Sequence, residues 1–435
     1  MGVFLFSMKM LKKEYKKTFM YALTLMFAIA ACFVFFAILN NDLITKQEMV
    51  QGGGSWSDVV VPVSTGLAFL IIIFCSAMII FANTFYLTKK TTEFAITTMS
   101  GANILDMVLY LTYQNLAITI LVMPFGLGLG YLFSVLCNAI MYYYLYINAS
   151  IFMCSLEAFL NTFATVCSMI FALIIYSSGY VYRHDIQDML STQTVNEHED
   201  KRIFKFPKEF YIGLYLFGII LMIFSKYKVS VFIFPSLLGI LGAGGIMTHV
   251  LPGIFSYIKK KKYIADQIML ISLSNLAYSL KKSIFLVSLY CISSTVMIAL
   301  LVSVQHSIRE FISVVVGLVI TVVLLSLGIL YKYSSEAVNR KIFYFNLYKL
   351  GYTVKKLKKI IKKEVVLYYG FLLLIPMIYI IIILTRCYIH SDVTLEFSLI
   401  LLVVEILPPC IIGLLTYNNY KSVVLKIIKE GMHYE

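Results

Sequence analysis

The chain has 435 residues, 60% of them hydrophobic and 13% charged, with 36 Lys and Arg against 22 Asp and Glu for a formal net charge of +14. With a mean hydropathy of +0.88, this composition excludes a water-soluble globule, in which charged residues make up about a quarter. The fold class expected is an all-α integral membrane protein.

Runs of about 20 apolar residues, enough to cross a hydrocarbon core of roughly 30 Å, recur along the chain. About ten transmembrane helices are expected: Phe19 to Leu39, Val63 to Leu87, Leu109 to Val135, Glu157 to Tyr182, Tyr211 to Ser225, Val229 to Leu251, Ile284 to Val304, Phe311 to Tyr331, Val365 to Leu384 and Phe397 to Tyr417. The fifth is the weakest, and re-entrant placement of the fifth and sixth together would leave the topology on either side unchanged. Near the N-terminus, Ile29-Ala30-Ala31-Cys32 resembles a lipoprotein cleavage site. Phe33 to Leu39 continue the apolar run past the cysteine, so a whole span is expected there. The eight cysteines lie in or near spans without CxxC spacing, and they read as small apolar residues rather than ligands or disulfide partners.

Cytoplasmic flanks of spans retain Lys and Arg. With the N-terminus inside, the outer segments hold only Lys46, Lys226, Lys228, Arg309 and Arg386, which leaves 36 − 5 = 31 basic residues inside. Both termini are therefore expected in the cytosol of a multi-pass cell-membrane protein. Lys259 to Lys262 and Lys355 to Lys363 then face anionic headgroups of the lipid bilayer, and no nucleic-acid partner is expected.

A pattern of basic elbow, span, second span and glycine-ended polar helix occurs twice. Lys16-Lys17-Thr18 opens the first copy and Lys281-Lys282-Ser283 the second, an offset of 281 − 16 = 265; the helices end at Gly101 and Gly351, an offset of 351 − 101 = 250. The first polar helix runs unbroken through Lys89 to Gly101, and the second is expected to run through Lys332, Glu336 and Arg340 to Gly351. A helix that overruns the bilayer and stops at a glycine forms a stalk and a transverse turn that a cytosolic partner can push.

The soluble segments are too short for an independent catalytic domain. No GxxxxGK[ST] phosphate loop, HExxH or GxSxG occurs, so no catalytic residue and no metal site are expected. Among intramembrane carboxylates, Glu405 stands out as a gating or ligand-contact candidate, because Pro408 and Pro409 leave backbone carbonyls around it without donors. A protonated Glu405 bonded to a neighbouring helix is the plainer alternative. Pro124, Gly126, Gly128 and Gly130 interrupt the third span and are hinge candidates. Gly239, Gly242, Gly244 and Gly245 fill the sixth, where close helix packing is the favoured role.

The stretches "TKKTTEFAITTMSGAN" and "FNLYKLGYTVKKLKK", with the elbow-like "KMLKKEYKKTFM" and "SNLAYSLKKSIF", resemble the FtsX-like permease family of ABC transporters. The resemblance covers nearly the whole chain. Residues 1–183 correspond to a first repeat of spans 1 to 4, residues 184–267 to a linker with inserted spans 5 and 6, and residues 268–435 to a second, parallel repeat of spans 7 to 10. This layout is similar to the BceB-type permeases of antimicrobial peptide resistance. It implies a permease subunit with a homodimer of a cytosolic ABC ATPase as partner, a sensor histidine kinase as a second partner, and no cofactor of its own, since ATP and Mg would be bound by the ATPase.

Carried over, the resemblance places Glu93, Met99, Ser100 and Gly101 on one ATPase-coupling element and Tyr348, Lys349, Leu350 and Gly351 on the other. The chain departs from the BceB type in one respect: only Gln305 to Glu310 join the seventh and eighth spans, where that type has a large extracellular domain. Alternatives are a mechanotransmission regulator of an external partner, and a secondary transporter or intramembrane enzyme using Glu405.

Overall fold

The computed structural model describes residues 3–13, 15–43, 60–99, 101–183, 207–224, 232–261, 266–304 and 308–432. Among them the regular structure is helical throughout, without a strand. The chain forms two compact units, Met1–Lys201 with Gln305–Gly317, and Arg202–Val304 with Leu318–Glu435. Among the described residues, seven helices are long and apolar enough to cross a membrane by length and composition. Their outward faces expose runs such as Ile120, Leu121 and Phe125, more contiguous apolar surface than a soluble domain tolerates.

The first unit contains α1 (Val3–Lys13), α2 (Tyr15–Leu39), α3 (Val60–Met99), α4 (Ile104–Leu145) and α5 (Leu156–Arg183). Helix α2 is apolar around its whole circumference, as a helix surrounded by others must be. It packs against α3, α4 and α5, and every residue from Ala28 to Phe35 is buried. Helix α1 lies against α4, with Phe4 on Tyr113 and Phe6 on Tyr110. Lys16 and Lys17 lie within α2.

The second unit contains α6 (Lys208–Phe224), α7 (Ile233–Gly245), which continues through a π-turn at Ile246–Val250 into α8 (Leu251–Lys261), then α9 (Gln267–Lys282), α10 (Ile284–Ser303), most of α11 (Ile308–Asn339), α12 (Lys341–Lys349), α13 (Val354–Ile389) and α14 (Leu395–Met432). Helices α3, α6 and α7 occupy the places of the three expected spans that are not among the seven. Asp266 starts α9 by accepting hydrogen bonds from the backbone N–H groups of Ile268 and Met269, a conventional N-cap. These bonds, with Lys363, hold its carboxyl below the usual Asp range. The elbow here falls at Ser283. Its hydroxyl donates to the Ser279 carbonyl at 2.7 Å and accepts from Tyr368 at 2.8 Å, so the side chain competes with the helix ladder at the bend.

Buried α10 plays the part of α2, packing against α7 and α13. Its Ser293, Ser294 and Thr295 satisfy their hydroxyls on carbonyls three or four residues back. Helices α6 and α7 approach closely because of the glycines: a Cβ on Gly242 would lie 2.6 Å from the Tyr215 nitrogen, and one on Gly245 2.0 Å from the Tyr211 ring. The packing role expected for this glycine cluster is the one observed.

The far ends of α4 and α13 terminate alike. Tyr146 (φ 54) and Ser391 (φ 64) both take the left-handed conformation, and the next N–H in each case donates to a carbonyl five residues back, Ile147 to Tyr142 and Asp392 to Cys387, both at 3.0 Å. Both helices therefore close with the same hydrogen-bond pattern, on non-glycine residues.

Candidate functional site

The two glycine turns have the same backbone. Gly101 (φ +93) donates its N–H to the Thr98 carbonyl at 3.0 Å, and Ala102 donates to Thr97 at 3.3 Å. Gly351 (φ +90) donates to Tyr348 at 2.9 Å, and Tyr352 donates to Leu347 at 3.1 Å. Each is a Schellman cap, in which the residue after the helix adopts a conformation that L side chains rarely take. A Cβ at either glycine would meet nothing within 4 Å, so backbone conformation and not crowding requires glycine. The next helices start at Asn103 (φ −74, ψ 159) and Thr353 (φ −65, ψ 152). The Asp106 carboxylate accepts from the Asn103 N–H, and the Thr353 hydroxyl accepts from the Lys356 N–H. Cap glycines and N-caps are thus both separated by 250 residues, 351 − 101 and 353 − 103.

Beneath the first turn Lys90 is fully buried. Its ammonium donates to the Gln114 side-chain carbonyl at 2.8 Å and to the Tyr110 hydroxyl at 3.4 Å, with the Glu93 carboxylate 4.0 Å away. It also sits over the rings of Tyr86 and Tyr110, 4.9 and 5.5 Å from their centroids. Gln114 accepts a second hydrogen bond from Tyr86 and donates its amide to the Ser7 carbonyl of α1. A buried ammonium is tolerable only with this density of donors, acceptors and ring faces around it.

Beneath the second turn the corresponding pair is Arg340 and Glu364, because 340 − 90 and 364 − 114 are again 250. The guanidinium donates to Glu364 at 3.1 Å and to Glu336 at 3.0 Å. Lys332, fully buried, lies 3.2 Å from Glu336 and donates to the Ser279 carbonyl of α9 at 2.9 Å. Asn275 donates to Glu364 at 3.1 Å, and Tyr344 and Tyr420 continue the chain of hydroxyls. Burial opposes the charge of Arg340, yet Glu336 and Glu364 hold its guanidinium well above its ordinary value. Burial likewise pushes the Tyr344 phenol up, helped by Tyr420 and Glu364.

The elbow helix enters both clusters through a backbone carbonyl. In the first cluster the Lys90 ammonium meets Gln114 and Tyr110, and in the second Lys332 and Arg340 meet Glu336 and Glu364. This cluster also explains a departure from the expected unbroken stalk. The chain leaves helical geometry at Arg340 (φ −89, ψ 14) between α11 and α12, where the guanidinium turns to bridge two carboxylates.

Around the turns, Met99 and Leu350 are among the most exposed apolar side chains, at 68% and 77%. Lys349 is exposed, with its ammonium 4.9 Å from the Phe345 ring centroid. Tyr348 and Glu93 are half-buried, and Ser100 lies outside the described residues. Glu93 lies 4.0 Å from the Lys90 ammonium, while the position 250 residues on is the exposed Phe343. Residue types alone did not reveal Lys90, Gln114 or Glu364. The 250-residue offset, extended from the glycines to every polar residue in the flanking helices, would have found them.

The remaining candidates lie elsewhere. Pro124 does not interrupt the third span: α4 runs through it, since one missing N–H is tolerated in a helix held by its neighbours. Gly126 and Gly130 sit against α2, where Cβ atoms would come within 2.9 Å of Ile29 and 2.8 Å of Phe33; Gly128 faces open space. Glu405 is fully buried in α14. Tyr290 of α10 donates to its Oε1 at 2.9 Å, and its Oε2 has no hydrogen-bond partner among the described residues. Pro408 and Pro409 lie within the same unbroken helix.

Residues 65–185 match the FtsX-like permease C-terminal family. The matched FtsX-like stretch covers α4, α5 and most of α3, and it contains Lys90, Gly101 and Gln114. The chain is also 27% identical over 173 residues to the uncharacterized ABC transporter permease YvcS of Bacillus subtilis (strain 168), covering 40% of this chain and 26% of that protein. The chain thus spans about a quarter of the length of the curated relative it matches. The FtsX-like match lies in the first unit, and the likeness of the second unit to it rests on the repeated turn and buried pair.

Proposed function

We propose that the chain is the membrane permease subunit of an ABC transporter, coupling ATP hydrolysis by separate cytosolic ATPase subunits to movement of its helices. The observation that carries this reading is the recurrence, at one offset of 250 residues, of a Schellman turn above a buried cation held by the following span. The FtsX-like match and the permease relative support the same class. Two turns on one chain suit a homodimeric ATPase that binds ATP and Mg and presses one subunit on each turn. Glu93, Met99, Ser100 and Gly101 form the first contact, and Tyr348, Lys349, Leu350 and Gly351 the second. Charge distribution favours cytosolic placement of both turns and both termini.

The substrate class is antimicrobial peptides, exported or sensed as in the BceB type, with a sensor histidine kinase as a further partner. Glu405, Pro408 and Pro409 are the gating group within the second unit. The test is affinity purification of the tagged full-length chain from its native membrane. An ABC ATPase is expected to co-purify and to be lost in the Glu93→Lys, Lys349→Glu double variant; unchanged recovery of the ATPase in that variant would overturn the assigned contacts.

A further inference from the structure

The two hairpins that carry the glycine turns share a burial register and differ in what they expose. On the outgoing helices Met107, Tyr110, Leu111 and Gln114 are buried in the first unit, and Leu357, Ile360, Ile361 and Glu364 in the second. Each pair is again 250 residues apart. The positions between them carry different chemistry. Exposed Leu105 and Leu109 have exposed Lys355 and Lys359 as counterparts, and half-buried Thr112 and Tyr113 have exposed Lys362 and Lys363. Residues 104–113 hold one acidic and no basic side chain, whereas residues 354–363 hold six lysines and no acid.

Packing leaves the lysines on the outer side of α13. The elbow helix α9 covers the opposite side, where Ser272 donates to the Ile360 carbonyl at 3.3 Å and Asn275 to the Glu364 carboxylate at 3.1 Å. Lys363 reaches the Asp266 carboxylate at 3.7 Å, and both side chains stay close to half exposed. The apolar run of the expected ninth span begins at Val365. Even Lys355 lies within roughly 15 Å of that start along the helix axis. An anionic leaflet attracts lysines in this zone, with a reach of about a Debye length.

We propose that Lys355, Lys356, Lys359, Lys362 and Lys363 form a binding surface for anionic phospholipid headgroups, and that the outgoing helix of the first hairpin has no such surface. The inference rests on the cytosolic placement of the turns given under the proposed function, and it adds a lipid contact to the second hairpin alone. An ATPase homodimer offers the same surface twice, and one surface does not complement both a leucine face and a lysine face. The lysines are therefore assigned to the leaflet. Movement of the second turn then draws α13 past bound headgroups, an attachment that the outgoing face of α4 lacks.

The test is hydrogen exchange, followed by mass spectrometry, on the full-length chain without ATPase. Nanodiscs of phosphatidylcholine are compared with nanodiscs of phosphatidylcholine mixed with phosphatidylglycerol. The anionic lipid is expected to slow exchange at residues 354–363 by about fivefold, to leave residues 104–113 unchanged, and to lose its effect at high salt. The Lys355→Gln, Lys359→Gln, Lys362→Gln triple variant should lose the slowing while residues 366–384 exchange as in the wild type. Should that variant fail to reconstitute, the lipid series on the wild type still decides the matter. No slowing at 354–363, equal slowing of both hairpins, or slowing retained in the triple variant would overturn the inference. Slowing of the same size by inorganic phosphate in phosphatidylcholine nanodiscs would also overturn it, by assigning the face to a free anion. Protection that appears only when ATPase is added would overturn it too, by making the face a protein interface. Because the lipid series contains no ATPase, an absent ATPase in the purification above defeats the coupling role and leaves this result standing.

Discussion

The guanidinium of Arg340 lies 3.1 Å from the carboxylate of Glu364, joining the helices on either side of the Gly351 turn. Its other branch reaches Glu336 at 3.0 Å. Removing it takes the guanidinium from buried Glu364, while Glu336 keeps Lys332, and a buried carboxylate left without its cation costs more than the pair itself contributes. Arg340→Ala is expected to destabilise the second unit by about 3–5 kcal/mol, measured as lost stability of the detergent-solubilised chain, with Arg340→Lys keeping a substantial part. An Arg340→Ala variant as stable as the wild type would contradict the assignment of a buried ionic cluster.

The two cap glycines are expected to respond to backbone chemistry and not to side-chain size, because each has open space around it. Gly101→Asn and Gly351→Asn should be tolerated better than Gly101→Val and Gly351→Val, since Asn enters the left-handed region far more readily than a β-branched residue. The Val variants are expected to lose about 1–2 kcal/mol each. Equal stability of the Asn and Val variants would argue against the Schellman geometry.

How much of this was legible in the sequence follows the physics of each feature. The helices were legible because apolar runs of bilayer length have few other uses, and the turns because a glycine after a polar helix is a strong stop signal. The buried clusters were not, since a lysine at position 90 looks like any cytosolic-flank charge until the fold surrounds it with Tyr86, Tyr110 and Gln114. The break at Arg340 was hidden for the same reason: it follows from a long-range bond to Glu364 and not from local propensity.

Gly126 and Gly130 separate packing from hinging. Alanine at either would press on Ile29 or Phe33 of α2, and overpacking of that kind costs typically about 1–3 kcal/mol. Gly128→Ala adds helix propensity in open space and is expected to be neutral or stabilising by up to about 1 kcal/mol. Thermal unfolding of the three single variants checks the order. Loss of activity in a stable Gly128→Ala protein would restore the hinge role to this segment.

The Tyr290 hydroxyl donates to the buried Glu405 carboxylate and so joins α10 to α14. Glu405→Gln keeps an acceptor and is expected to stay within about 1 kcal/mol of the wild type, whereas Glu405→Leu leaves the buried Tyr290 hydroxyl without it and should cost about 1–3 kcal/mol. Comparison of Glu405→Leu with the Tyr290→Phe, Glu405→Leu double variant isolates the bond. If the double variant is no more stable than Glu405→Leu alone, the hydroxyl is not the source of the cost. A stable but inactive Glu405→Gln protein would support the gating role.

The central claim is that one chain offers two coupling turns to one ATPase dimer. Native mass spectrometry of the complex purified from its own membrane, in the wild type and in Gly101→Val and Gly351→Val variants, tests it most directly. One permease chain with two ATPase subunits is expected, with weakened retention of the ATPase when either turn is altered. A complex with two permease chains per ATPase dimer, or one indifferent to both turns, would contradict it.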